Sequence, residues 1–318
     1  MTSIGGVRPV LVVGPPRSGT TWVEQVMGLA ADSCSINEPD NDTQVPFALK
    51  AKRALGRYPV LDPGDEAPED YARLWDGAFA GIRHSRNPRW KTGKLLLKLA
   101  DKNEFRRALC TQVDPCLSLK LRAAIALASP PSDGTTAANV VVKSVHTSFS
   151  VSWIAERWQP KVVVVLRHPF NVVGSWAELG WGAGGGCSLF ERSSVRRRYL
   201  DPMGIPLPQK RATSIELLTW QIALLTSALE RTAAAHPEWQ VVWHESLCLD
   251  PKTRFKELFH KVGLSWTEEA EAFLDSTKRV TSEQPGRWRT RLESDQVEKI
   301  RRVVSSFPLD APPDALAT

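Results

Sequence analysis

The chain has 318 residues, 42% of them hydrophobic and 24% charged, enough to bury one large core or two small ones. Its 41 basic against 35 acidic residues leave a net charge of +6, which suits a polyanionic ligand. No DNA- or RNA-reading motif accompanies that surplus, so nucleic acid is not an expected partner. No apolar run approaches ~18 residues, and no apolar segment follows a basic start, so neither a membrane span nor a signal peptide is expected. The five cysteines, Cys34, Cys110, Cys116, Cys187 and Cys248, form no C-x-x-C pair and no zinc-ligand pattern. Reduced thiols, a cytoplasmic location and no metal site are the expectations that follow.

The first element is the run Val10-Leu11-Val12-Val13, a buried strand by its β-branched content. It feeds a turn, Gly14-Pro15-Pro16-Arg17-Ser18-Gly19, and then a helix carrying Val23, Val26 and Met27 on one side. A short second strand should end at the turn-rich run Ser35-Ile36-Asn37-Glu38-Pro39-Asp40-Asn41. Within 45–135 the spacing predicts helices over 71–82, 95–109 and 117–128, with a loop over 59–68. Basic amphipathic stretches of this kind read as helices with one buried face, and peripheral contact with a membrane surface is the alternative.

Regular alternation resumes with a buried strand at Asn139-Val140-Val141-Val142-Lys143, a helix over 148–158, and a second strong strand at Val162-Val163-Val164-Val165-Leu166-Arg167. Pro169 suits the first turn of the next helix, which should run to about residue 179. A glycine tract over 180–186 and an irregular loop over 196–211 make 180–212 a candidate lid. Thr213-x-x-Glu216 is a capping box for a long helix, Gln240-Val241-Val242-Trp243 a last strand, and 251–262 a helix. Ser265-x-x-Glu268 caps another helix, and a loop at Pro285-Gly286-Arg287-Trp288-Arg289 precedes a final one with Val297, Ile300 and Val304. Strand–helix alternation of this kind implies an α/β fold, a mostly parallel central sheet flanked by helices in three layers. A single domain over 1–318 is expected, with 45–135 as a helical insertion on the acceptor side.

The turn at 14–19 is an anion-binding arrangement, because unpaired N–H groups and the dipole at a helix start favour negative charge. Gly14 and Gly19 have the G-x-x-x-x-G spacing of a nucleoside triphosphate loop. Thr20 stands where that motif needs Lys, and the cation, Arg17, comes before the glycine, so an ordinary ATP or GTP site is disfavoured.

Pro16-Arg17-Ser18-Gly19-Thr20-Thr21-Trp22 resembles the 5′-phosphosulfate loop of sulfotransferases that use 3′-phosphoadenosine 5′-phosphosulfate (PAPS). Arg167-His168-Pro169, with Ser175 eight positions after the arginine, resembles that family's 3′-phosphate site. The pairing is chemically apt, since a guanidinium grips phosphate bidentately while a hydroxyl donates one bond more. The resemblance runs from residue 10 to about 291, and 45–135 has no counterpart in it. It implies a P-loop-like fold, PAPS as sulfuryl donor, PAP as product, and no metal.

Residue by residue, the resemblance implies that Arg17 and the amides of Ser18, Gly19, Thr20 and Thr21 hold the 5′-phosphate. Lys143 would stabilise charge at the transferring group. Trp22 corresponds to the aromatic that stacks on adenine, although a core tryptophan is an equally good account of it. Arg287, Trp288 and Arg289 look like the C-terminal loop that closes over the 3′-phosphate, in a departure from the usual pattern that leaves the contacting arginine open. Two residues compete as general base. Glu38 lies 21 positions after Arg17, as catalytic glutamates of some members do, and is preferred. His146 is the rival, in Lys143-Ser144-Val145-His146, displaced by one position from the histidine of cytosolic members.

The expected activity is transfer of a sulfuryl group to a hydroxyl of a small-molecule, glycan or lipid acceptor by in-line displacement. A P-loop nucleotide kinase and a non-catalytic nucleotide-binding or membrane-surface module are the competing readings. The tryptophan-rich composition and the 45–135 segment point to an apolar or aromatic acceptor.

Overall fold

Five strands, β1 (Val10–Val13), β2 (Ser33–Asn37), β3 (Asn139–Ser144), β4 (Lys161–Leu166) and β5 (Gln240–Trp243), lie side by side in the order β2-β3-β1-β4-β5. Every neighbouring pair is parallel, with Val10 in register with Val141 on one side and Lys161 on the other. This computed structural model describes residues 9–83, 88–101, 109, 117–132, 134, 137–180, 189, 192–276 and 286–310.

The continuous valine runs follow from helices covering both faces, so that successive side chains enter two different cores. Leu11, Val13, Val142, Val164 and Leu166 point into one, against Phe47, Trp75 and Trp153. Val10, Val12, Val141, Val163 and Val165 point into the other, against Trp22, Val23, Phe255 and Phe259. Each fully buried valine is worth roughly 1.5–3 kcal/mol of apolar transfer.

The strand order also places the site. From β1 the chain crosses to β2 on one side, whereas from β4 it crosses to β5 on the other. The carboxyl ends of β1 and β4 therefore flank the crevice where open parallel sheets bind their ligands. The loop at 14–19 leaves one of them and Arg167 the other.

Between β2 and β3 the chain forms helices Pro46–Lys52, Glu69–Phe79, Pro88–Lys98 and Leu119–Ala126. The first two pack on the sheet through Phe47, Ala48, Leu74 and Trp75. The last two close a small separate core of Leu49, Leu97, Leu121 and Ala124.

Several expected boundaries move. The helix expected over 95–109 begins at Pro88 and ends at Lys98; residues 102–108 lie outside the described set. The segment expected to be an irregular loop over 196–211 is helical through Ser193–Val195, a π-turn at Arg196–Leu200 and Asp201–Met203. Its cause is apolar: Val195, Tyr199 and Leu200 are buried against Phe149 and Trp220, while Arg198 pairs with Asp62 and Asp65 at 3.1 and 2.9 Å. Of the glycine tract, residues 181–186 lie outside the described set. The capping box at Thr213 and Glu216 forms as read. The helix Glu268–Ser276 is capped by Thr267, whose Oγ1 accepts from the Ala270 amide at 3.1 Å, and not by Ser265. Residues expected as loop before the last helix include one helical turn, Trp288–Arg291.

Candidate active site

At the end of β1 the chain must turn sharply into the helix Thr20–Met27. Gly19 caps that helix at φ 96°, a conformation open to glycine and costly for any other residue. A Cβ there would come within 2.1 Å of the His244 ring, which follows β5 and forms the floor of the loop. Arg17 also takes a left-handed backbone, φ 73°, which throws its side chain outward, and it is exposed. Ser18 is fully buried, and among the described residues its Oγ has no hydrogen-bond partner, an orphaned donor at the start of a helix.

The two cationic segments meet. Arg167 Nη1 donates to the Arg17 carbonyl at 3.1 Å, and Arg17 Nε donates to Ser175 Oγ at 3.0 Å. Beneath them Glu245 Oε1 accepts from the His168 amide at 3.0 Å and Asn171 Nδ2 at 2.9 Å, and lies 3.9 Å from Arg167 Nε. Burial raises the Glu245 pKa against these partners. Trp176 Nε1 donates to the Pro16 carbonyl at 3.0 Å, tying the helix Pro169–Glu178 to the loop.

The C-terminal segment joins the same cluster. The Trp288 amide donates to Asn171 Oδ1 at 3.1 Å, and its ring packs edge-on to Phe170 at 4.9 Å and parallel to His168 at 6.3 Å. The Arg289 guanidinium lies over the Trp288 ring at 4.5 Å, and Arg287 sits at the start of that turn. Burial and the neighbouring Arg289 push His168 down to about 4, so it is neutral near pH 7. Trp22 is corrected. It is 2% exposed and locked edge-on to Phe255 at 5.1 Å and His244 at 5.7 Å, so it presents no face to a ligand. Helical periodicity turns that position inward, to the same core as Val23 and Val26.

On the other side of β1, Glu38 follows β2 at φ 47°, its amide donating to the Lys143 carbonyl at 2.8 Å. Lys143, buried on β3, forms an ion pair with Glu38 Oε1, and Asn41 Nδ2 donates to Oε2. Burial works to raise the Glu38 pKa, but the Lys143 ammonium overrides it and holds the carboxyl below its ordinary value. Glu24, buried on the first helix and hydrogen-bonded to Ser35, lies near the pair, its own pKa raised by burial.

His146 sits deeper, 7% exposed, with Lys52 Nζ 3.2 Å from its Nδ1. Burial and the Lys52 charge push it down to about 3. Lys52, itself fully buried, donates to the Asp40 carbonyl at 2.8 Å and to Asp42 at 3.0 Å; Arg57 also donates to Asp42, at 2.9 Å. Burial is outweighed by these cations at Asp42, which is held well below the carboxylate range. At Asp40 burial wins, pushing it up to about 6 although Ser144 Oγ donates to it. Sequence reasoning missed this charge cluster. One signal was available: Lys52 stands on the apolar face of its helix, three positions after Leu49 and four after Ala48.

A cavity of about 440 Å³ opens beside Glu38, lined also by Val45, Ile82, Arg83, Trp90 and Lys94; His146 is not part of its wall. Glu38 thus stands between a buried lysine and open space able to take a small molecule. No helix of the described residues is long and apolar enough to cross a membrane.

A model of the sulfotransferase family matches residues 9–268. Among solved structures, a sulfotransferase from Mycobacterium tuberculosis H37Rv is similar over 96% of this chain and 77% of its own, at 15% identity and a TM-score of 0.42. The sulfotransferase domain of the curacin biosynthetic pathway is similar over 96% and 99%, at 14% identity and 0.42. Retinol dehydratase, solved with androsterone and the inactive cofactor PAP, is similar over 98% and 84%, at 13% identity and 0.40. Among curated proteins, none matches.

Proposed function

The chain belongs to the sulfotransferase family, and we propose that it moves a sulfuryl group from PAPS to the hydroxyl of a small-molecule, glycan or lipid acceptor by in-line displacement. The observation that carries this reading is the direct link between the two anion-binding segments, Arg167 to the Arg17 carbonyl and Arg17 to Ser175. In this reading one doubly phosphorylated nucleotide lies along the rim, with Arg17 and the amides of Ser18 to Thr21 at its 5′ end and Arg167 and Ser175 at its 3′-phosphate. Arg287 and Arg289, brought alongside by the packing of Trp288, add positive charge at the 3′ end. PAPS, when bound, supplies the sulfuryl group and a 5′-phosphate as leaving group.

Glu38 acts as general base in this reading, because it alone of the two candidates lines the acceptor cavity. Lys143 has two partners available, the Glu38 carboxylate and the charge that develops on the nucleotide side. As the acceptor oxygen bonds to sulfur and the sulfur–oxygen bond to the 5′-phosphate breaks, the hydroxyl proton passes to Glu38. Binding of PAP measured by calorimetry, alone and with Mg²⁺, tests the nucleotide assignment. Saturable binding that gains nothing from Mg²⁺ is expected; a requirement for Mg²⁺, or preference for ATP, overturns it in favour of a kinase.

A further inference from the structure

The cavity beside Glu38 has an unusual charge balance. Its wall is apolar at Val45, Ile82 and Trp90, and its titratable members are Glu38, Arg83 and Lys94. Glu38 is compensated by Lys143. Arg83 donates only to the Ser35 carbonyl, at 3.4 Å, and Lys94 lies over the Trp90 ring at 4.8 Å; among the described residues neither has a carboxylate partner. Of the neighbouring helices, Glu69–Phe79 carries three acids and one base, whereas two others are purely basic. The helix Pro88–Lys98 carries Arg89, Lys91, Lys94 and Lys98 with no acid, and Leu119–Ala126, packed on it, adds Lys120 and Arg122 with no acid. These two helices therefore contribute six cations and no acid, and one of the six, Lys94, lines the cavity itself.

We propose that this cavity selects an acidic acceptor: an alcohol or phenol with an apolar or aromatic body and a carboxylate or comparable anionic group. The inference rests on the sulfotransferase reading for the fate of the hydroxyl. Trp90 and its apolar neighbours take the body, Glu38 the hydroxyl, and Arg83 and Lys94 the acid. Lys94 reaches that position already ordered on the Trp90 face, while Arg83 offers a planar fork that matches a carboxylate. A cationic acceptor meets repulsion from both residues and from the two helices behind them.

The test compares 6-hydroxy-2-naphthoate with its uncharged carboxamide, by fluorescence titration of the full chain. The acid is expected to bind about tenfold more tightly than the amide, as charge-assisted hydrogen bonds at a half-exposed site allow. That advantage shrinks as salt is raised. In the double variant Arg83→Gln, Lys94→Gln the ratio falls to near one, while affinity for PAP, bound elsewhere on the rim, is unchanged. Equal affinity of acid and amide in the natural chain overturns the proposal, as does an advantage that survives the double variant, or no saturable binding of either probe. Transfer from radiolabelled PAPS to the naphthoate hydroxyl separates the two readings. A chain that prefers the acid yet neither binds PAP nor transfers label keeps the charge preference and loses the acceptor role. One that binds PAP and transfers label to both probes equally keeps the sulfotransferase reading and loses the acidic acceptor.

Discussion

Around Gly19 the chain builds its candidate anion site from consecutive backbone, a strand end, a turn with two left-handed residues and a helix start, braced by the next loop along the sheet. Around Glu38 it gathers side chains from the end of β2, from two helices of the insertion and from Lys143 on the adjacent strand. The first region is a backbone device, which only a few residue types can make. The second is a side-chain device, whose composition is free to vary with the molecule it receives. Lys143, buried, stands on β3 between the strands that lead to them, in register with Val12 and Asn37.

Four substitutions bear on this division. Glu38→Gln removes the proton acceptor while leaving the nucleotide rim intact; turnover is expected to fall roughly 10²- to 10⁴-fold with PAP affinity unchanged. A smaller loss, with His146→Ala equally damaging, would reassign the base. Lys52→Met takes from buried Asp42 its fully buried cation and leaves it the partly exposed Arg57, and a loss of about 3 kcal/mol in denaturant unfolding is expected, at the low end for broken buried pairs. Unchanged stability would show that the charge cluster beneath Glu38 is dispensable. Arg167→Gln should weaken PAP roughly 10- to 100-fold, the loss of charge-assisted bonds to one phosphate. Adenosine 5′-phosphosulfate, which lacks the 3′-phosphate, should bind natural and variant chains alike; an equal loss for it would place Arg167 away from that phosphate.

The smallest effect lies outside both regions. Glu230 is buried on the long helix and accepts from the Asp310 amide at 3.3 Å; burial pushes its pKa up to about 8. The folded chain therefore holds a proton that the unfolded chain releases near 4.5, and stability falls as pH rises across that window. Glu230→Gln should flatten this slope and raise the melting temperature on its alkaline side, with activity unaltered. A slope that is the same in both proteins would refute the assignment.

The same division explains what could be read in advance. Val140 to Val142 and Val162 to Val165 announce strands buried on both faces, since no surface strand tolerates such runs. Gly19, Arg17, Arg167 and Ser175 are legible because their spacing along the chain fixes their geometry. Trp22 shows the limit of that legibility: the turn fixes where the helix starts, but helix phase decides which way the ring points. Val195, Tyr199 and Leu200 were hidden among arginines, where an apolar spacing too short to show a period still drives a helical turn. The cavity beside Glu38 was illegible for a plainer reason: Trp90 and Lys94 lie one turn apart on a helix, but nothing in the sequence ties that helix to Glu38, which it meets only through tertiary packing. Asp42, Lys52 and Arg57 face one another in the interior, and of the three only Lys52, on the apolar face of its helix, carried a sign of it.

A sheet whose strands all run one way has two unlike rims. Here the carboxyl ends carry the 14–19 loop, Glu38, Lys143 and Arg167, and the opposite rim has turns such as Asp32 before β2, Gln159 before β4 and the exposed Pro237 and Glu238 before β5. That rim is free for engineering: a peptide tag or tethering point spliced between Pro237 and Glu238 would anchor the enzyme to a support with its working edge facing outward.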